Sequence, residues 1–369
     1  MLTRRDLIVR ALLLGAGSVL TPVVRAGYAA PLLLSASDDS NGNHLFSAID
    51  EFGAPRFRHQ LPDRAHGVAV HPRHMQCAVV GRRPGTFVDL YSLPDGRLMQ
   101  RLENPTGRRF CGHAAFSADG DVLYTTENDF DGQRGVIGVW RRRGEKRVRE
   151  AEWSSGGIGP HELLLHPDGK LVVANGGILT HPDRGRDKLN LATMQANLSY
   201  LDSRTGKLLG SHGVPDDLHQ LSIRHLSIGP SGRVASVLQF QGRDTRVVPL
   251  LALHSPGDAA LELLTLPEGP ERHRNYLGSV AWDLDGRWLA MSAPRGSRVY
   301  FYDIDSASWA EPVTYTDGCG VYRDSLPATF LISSGAGGVT SYCPEDGSWQ
   351  PMPDQYARQQ HWDNHFVVV

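Results

Sequence analysis

Short apolar runs alternate with turn residues along nearly the whole chain, and no stretch sustains a 3.6-residue apolar period. The runs recur in one order: an apolar strand, a turn ending in Asp-Gly or its equivalent, then a second β-rich strand. The first copy reads His66-Gly67-Val68-Ala69-Val70-His71-Pro72 and leads to Cys77-Ala78-Val79-Val80. The second runs from His113 to Gly120 and leads to Val122-Leu123-Tyr124. Further copies start at His161, His225 and Gly278, with a degenerate one at Gly320, at intervals of about 40 to 64 residues. Two more strands follow within each unit, most clearly Phe87-Val88-Asp89-Leu90-Tyr91, the turn Pro94-Asp95-Gly96, and Leu98-Met99-Gln100-Arg101. Four-stranded units at this period are propeller blades, and the absence of covering helices excludes an α/β barrel. The pattern predicts an all-β fold, a seven-bladed β-propeller. Six blades are internal, and the seventh is split between the termini. Residues 32–61 supply three of its strands and residues 364–369 the innermost one, which leaves no open edge.

The first thirty residues break the pattern. Arg4-Arg5 precedes a run of about ten apolar residues, too short to span a bilayer, and a small-residue stretch ends at Ala30. This reads as a twin-arginine signal peptide, residues 1–30, removed to leave a single propeller domain of residues 31–369. It implies a periplasmic protein without a stable membrane anchor. The full chain has 369 residues and a formal net charge of −2, and cleavage after Ala26 removes four arginines and one aspartate, giving −5. A mildly acidic domain excludes nucleic acid as a partner. The basic run Arg141-Arg142-Arg143, with Lys146, Arg147 and Arg149, is expected to be a solvated hairpin face. Four cysteines, Cys77, Cys111, Cys319 and Cys343, are too few for a disulfide scaffold, although an oxidising compartment permits one or two bridges.

Aligning the blades on their Asp-Gly turns places the starts of the innermost strands in two adjacent columns at the channel mouth. One reads His66, Gly112, His161, Arg224, Gly278 and His365; the other reads Gly67, His113, Glu162, His225, Ser279 and Phe366. Five histidines, one glutamate and one arginine thereby converge from distant parts of the chain. Imidazoles with a carboxylate nearby suit iron, copper or zinc. The predicted metal-binding residues are His66, His113, His161, His225 and His365, with Glu162, His219, Cys111 and Cys319 as further candidates. The same rim can serve a hydrolase with Glu162, His161, Arg224 and His225 as its catalytic groups. A third alternative is a non-catalytic interaction platform in which the histidines are structural. The long insertion of residues 176–195 is placed to cover a site. Residues 81–86, Gly-Arg-Arg-Pro-Gly-Thr, are expected to form a solvated turn; the alternative is that the two arginines hold an anion. The chain has no phosphate-binding Gly-rich loop, no Gly-x-Ser-x-Gly elbow and no Cys-x-x-Cys-His haem site.

Several motifs carry a resemblance. Arg83-Pro84-Gly85-Thr86, Gly156-Gly157-Ile158-Gly159-Pro160-His161-Glu162, Ala174-Asn175-Gly176-Gly177-Ile178 and Leu218-His219-Gln220-Leu221-Ser222-Ile223-Arg224-His225 resemble family 1513 of the domains of unknown function, exported bacterial propellers. The resemblance spans essentially the whole chain and assigns no activity. The gene neighbourhood of that family, with imelysin-like and dihaem-type periplasmic proteins, implies partners in iron uptake or redox chemistry. Pro160-His161-Glu162 and Arg224-His225 are also similar to strand starts of propeller lactonases of the 6-phosphogluconolactonase type, which implies substrate contact by His161, Glu162, Arg224 and His225.

Overall fold

The computed structural model describes residues 31–185 and 187–369. The expected signal peptide, residues 1–30, and Arg186 of the insertion lie outside the described residues. Seven antiparallel sheets follow one another around a ring, which establishes the seven-bladed propeller. Blades 1 to 6 open on the innermost strands Ala65–Val70, Arg108–Phe116, Pro160–Leu165, Leu221–Ile228, Ser279–Trp282 and Gly318–Arg323. Each then steps outward through three antiparallel neighbours; in blade 5 the outermost strand is broken into two short pieces.

Blade 7 joins the termini. Leu33–Asp38, His44–Ile49 and Pro55–Gln60 form its outer part. The innermost strand is in two pieces, His361–Trp362 and Val367–Val368, both antiparallel to Leu33–Asp38. Leu32 and Val369 exchange both backbone hydrogen bonds, at 3.1 and 2.9 Å, so the ring is tied to its last residue. Residues 363–366 loop away between the two pieces, which a single uninterrupted final strand did not anticipate.

Strand alternation sends apolar side chains to the faces between sheets, and the core is accordingly a set of clusters in the gaps between adjacent blades. Phe46 and Leu34 of blade 7 pack on Val79 and Tyr91 of blade 1; Trp362, Phe366 and Leu33 pack on Leu331 and Val339 of blade 6. The Asp-Gly turns lock neighbouring blades as well. Gly120 has φ +79°, and a Cβ there would lie 2.1 Å from Cε1 of His71, so the turn of blade 2 closes directly over the His71-Pro72 imidazole of blade 1. His166 Nε2 donates to the carbonyl of Gly232 at 2.8 Å in the same way. These two histidines serve the joints between blades.

The basic hairpin of blade 2 is only partly a solvated face. Arg142, Arg143 and Lys146 are exposed, but Arg147 is buried and donates to the carbonyls of Gly120 and Asp121. Arg149 turns inward onto the fully buried Glu127, at 2.7 Å. All four cysteines are free thiols. No helix among the described residues is long and apolar enough to cross a membrane.

Candidate metal centre

A regular strand would send adjacent residues to opposite faces, so the two columns of the sequence alignment should not meet. They meet because the inner strands are bulged. Pairing slips between Ala65 and Val68, Phe110 and Ala114, Pro160 and Leu163, and Ile223 and His225. In blade 7 the same effect comes from residues 363–366 looping between the two strand pieces. Extra residues in a bulge re-aim side chains toward the channel. Blade 5, whose inner strand pairs regularly, and blade 6, whose inner strand slips between Gly318 and Val321, supply no histidine. Gly112, in the blade 2 bulge, has φ +104°, and a Cβ there would stand 2.9 Å from Cδ2 of His66; only glycine lets that strand pass the imidazole.

The outcome is one layer of five imidazoles across the channel: His365, half-buried, and His66, His113, His161 and His225, buried, from the consecutive blades 7, 1, 2, 3 and 4. Ring centroids lie 4.5 Å apart for His66–His365, His113–His365 and His161–His225, and 5.5 Å for His66–His225. One nitrogen from each of His66, His113, His225 and His365 lies within 4.8 Å of the other three, a group able to hold a metal ion. Two nitrogens on one ion, each about 2.1 Å from it, stand about 3.4 Å apart in a tetrahedral site, so the widest pair closes by somewhat over 1 Å to reach coordination distance. His161 stands beside this set, its Nε2 3.2 Å from Nε2 of His225.

The surrounding groups orient the rings. Asp363 Oδ1 is 2.6 Å from His66 Nδ1, which leaves Nε2 of His66 for the centre, the carboxylate–histidine arrangement usual behind a metal ligand. Asp363 is itself held by Arg64 at 2.9 Å and faced by Arg82 at 3.6 Å. Glu162 lies 3.5 Å from Nδ1 of both His113 and His225, and its Oε2 accepts from the Leu226 N–H at 2.7 Å. Nε2 of His113 and His365, and Nδ1 of His161 and His225, are buried without a hydrogen-bond partner. Unpartnered buried nitrogens are costly, and an ion that accepts their lone pairs removes that cost.

Electrostatics favour neutral imidazole. Burial lowers the pKa of all five histidines; neighbouring imidazoles or Arg224 push further down on His113, His161, His225 and His365, while Asp363 partly offsets the effect on His66. Burial raises that of Glu162. Neutral rings bind metal without first losing a proton. They also fix the pH response of the metal-free protein. Below the ordinary histidine pKa near 6.5 the unfolded chain takes up protons that these five rings refuse, so stability is complete above that pH and falls with acidification. Thermal midpoints of chelator-treated protein are expected to drop steadily from pH 7 to pH 5; a flat profile over that window contradicts burial of the rings in neutral form.

The layer separates two cavities whose linings share only His225. The upper one, about 200 Å³, includes His66, His161, Arg224 and Cys111 together with Ile178, Thr180 and His181 of the insertion, so the insertion does cover the site. Arg82 and Arg83 face this cavity rather than forming a solvated turn. The lower one, about 410 Å³, is the channel itself, with His113, His365 and Glu162 at its top and Val68, Val70 and Phe116 along its wall.

The predicted site residues therefore divide. His66, His113, His161, His225, His365 and Glu162 are brought together; Arg224 stands above them, opening on the other cavity from Glu162. His219 lies apart, at the end of the short turn Asp216–Leu218, with Nδ1 3.1 Å from the Asp216 carbonyl. Cys319 lines neither cavity, and its thiol is 3.7 Å from Asp317. Cys111 borders the upper cavity, with its thiol pushed up to about 12 by burial, and it is not part of the four-histidine group. Asp363 was missed; its signal was its place two residues before His365, immediately ahead of the strand assigned to residues 364–369.

A family model described as a protein of unknown function, DUF1513, matches residues 59–369. The chain belongs to that family. No curated protein matches it. Among solved structures, Kuenenia stuttgartiensis hydrazine synthase is similar at a TM-score of 0.62 with 12% identity, over 92% of this chain and all of that one. A chain of the mitotic checkpoint complex is similar at 0.56 with 13% identity, over 93% of this chain and 88% of that one. At such identities the likeness concerns the propeller alone. The five-histidine layer of this DUF1513 propeller thus has to be interpreted from its own chemistry.

Proposed function

We propose that this DUF1513 propeller is an exported, periplasmic metal-binding protein that holds one divalent first-row ion, iron or copper, at the histidine layer. The observation that carries the reading is the group His66, His113, His225 and His365, four imidazole donors from four blades, three of which, His113, His225 and His365, hold a buried nitrogen with no hydrogen-bond partner. An all-nitrogen donor set suits iron, copper and zinc alike, and Cys111 lies outside the four-histidine group. Its role would be in metal acquisition or as a redox accessory, with periplasmic iron-uptake or redox proteins as partners. Lactonase chemistry would need Glu162 and Arg224 on one reactant, whereas they open on different cavities. No observation favours an interaction platform over metal binding.

Elemental analysis of protein isolated from the periplasm tests this. About one iron or copper per chain is expected, and chelator-stripped protein should take up one equivalent again. Protein that carries no transition metal, and gains none on titration with Fe²⁺, Cu²⁺ or Zn²⁺, overturns the proposal.

A further inference from the structure

We infer that the upper cavity is a binding site for a small polyanion bearing carboxylate or phosphoryl groups, with the Arg224 guanidinium as its anchor. Among the described residues six cationic side chains line it, Arg82, Arg83, Arg109, Lys188, Arg224 and Arg295, and no described aspartate or glutamate does. This concentration occurs in a chain whose overall charge is slightly negative.

Arg224 is the decisive residue. It is 9% exposed, it faces the cavity, and its Nε and Nη1 have no hydrogen-bond partner. A buried guanidinium without an anion bears a desolvation cost that nothing repays. Other buried or half-buried arginines of this protein do not stand that way: Arg147 donates to backbone carbonyls, and Arg108 pairs with Asp129 and Glu152. A planar fork of N–H donors matches a carboxylate or phosphoryl group in two parallel hydrogen bonds.

The remaining cations are positioned rather than loose. The Arg295 guanidinium stacks 4.1 Å above the Tyr276 ring, Lys188 Nζ donates to Gln241 Oε1 at 2.6 Å, and Arg109 lies 5.7 Å over Phe130. Mutual repulsion among them is relieved by an anion carrying more than one charge. At about 200 Å³ the cavity is smaller than the roughly 300–1,000 Å³ of drug-sized ligand sites, which points to a small anion. The anion does not require a metal beneath it, since the cations come from outside the four-histidine group.

Calorimetric titration of chelator-stripped protein with citrate and, separately, with pyrophosphate, at ionic strength fixed with potassium chloride, distinguishes carboxylate from phosphoryl recognition. At least one should bind with a Kd under about 1 mM, and Arg224→Gln should weaken it at least about tenfold. If Arg224→Gln does not fold, Lys188→Gln with Arg295→Gln, both exposed at the mouth, should weaken binding about fivefold or more. No binding of either anion beyond that of chloride, or unchanged affinity in these variants, overturns the inference. The His113→Ala/His365→Ala variant separates the two proposals. Both residues line the lower cavity only. It should lose metal and keep the anion, so failure of the metal reading leaves the anion result standing.

Discussion

Replacing His113 and His365 together by alanine is expected to abolish stoichiometric metal binding while leaving the propeller folded. These two residues supply half of the four-nitrogen group, and two imidazoles cannot enclose an ion that needs at least three protein ligands. Both face the lower cavity, so their removal enlarges a channel that is already open rather than emptying the packed space between blades. His161→Ala should behave differently. Its ring lies beside the group and outside it, so binding should persist with affinity reduced by less than about tenfold. Asp363→Asn removes the charge that orients His66 and should cost about 10–100-fold in affinity without removing a ligand. Elemental analysis of the purified variants, with circular dichroism as the control on folding, gives the ranking. Equal metal content in wild type and the double variant would sink the site.

The ring was legible because each blade repeats the same strand and turn grammar, and the cross-blade packing of His71 under Gly120 shows why the turn glycine recurs. The five histidines were legible as well, since strand starts in a propeller all face one axis. What the sequence did not display was how residues of two adjacent columns reach one layer. His66 and His113 occupy different columns, and alternation would part them; the bulge after Ala65 and the wider one after Phe110 bring them to a centroid separation of 4.9 Å. Bulges carry no residue signature beyond an occasional glycine such as Gly112. The upper cavity was hidden for a related reason. Arg82 and Lys188 belong to loops, Arg295 to the short 3-10 helix Pro294–Gly296 and Arg224 to a strand, and only the folded ring sets them around one space. Arg147 and Arg149 show the opposite error: a basic run reads as solvated, yet alternation in the hairpin turns these two members inward.

Deleting residues 361–369 should abolish cooperative folding. Trp362 is 1% exposed and Phe366 4%, and they fill the gap between blades 6 and 7 with Leu33, Ile49 and Leu331. Burial of such side chains contributes about 2–3 kcal/mol each, and Val367, Val368 and the backbone pairing with Leu33–Asp38 add to it. That total is comparable with the roughly 5–15 kcal/mol by which a native domain is stable. The deletion also strips Arg64 of its Asp363 partner and exposes the full edge of Leu33–Asp38 to intermolecular pairing. Thermal unfolding followed by circular dichroism should lose its sharp transition, and the protein should aggregate; a deletion variant that melts like wild type would refute the closure. Removing only residues 367–369 should give an intermediate loss, because His361–Trp362 and the Asp363 contacts remain. The same nine residues carry His365, whose ring meets histidines of blades 1, 2 and 4. A bound ion would therefore fasten the closing strand to the blades across the channel, so metal should raise the unfolding midpoint of the intact chain by an amount that grows with the logarithm of its concentration over Kd. In the His113→Ala/His365→Ala variant that increment should vanish although the strand itself is intact, which separates the contribution of the ion from that of the ring closure.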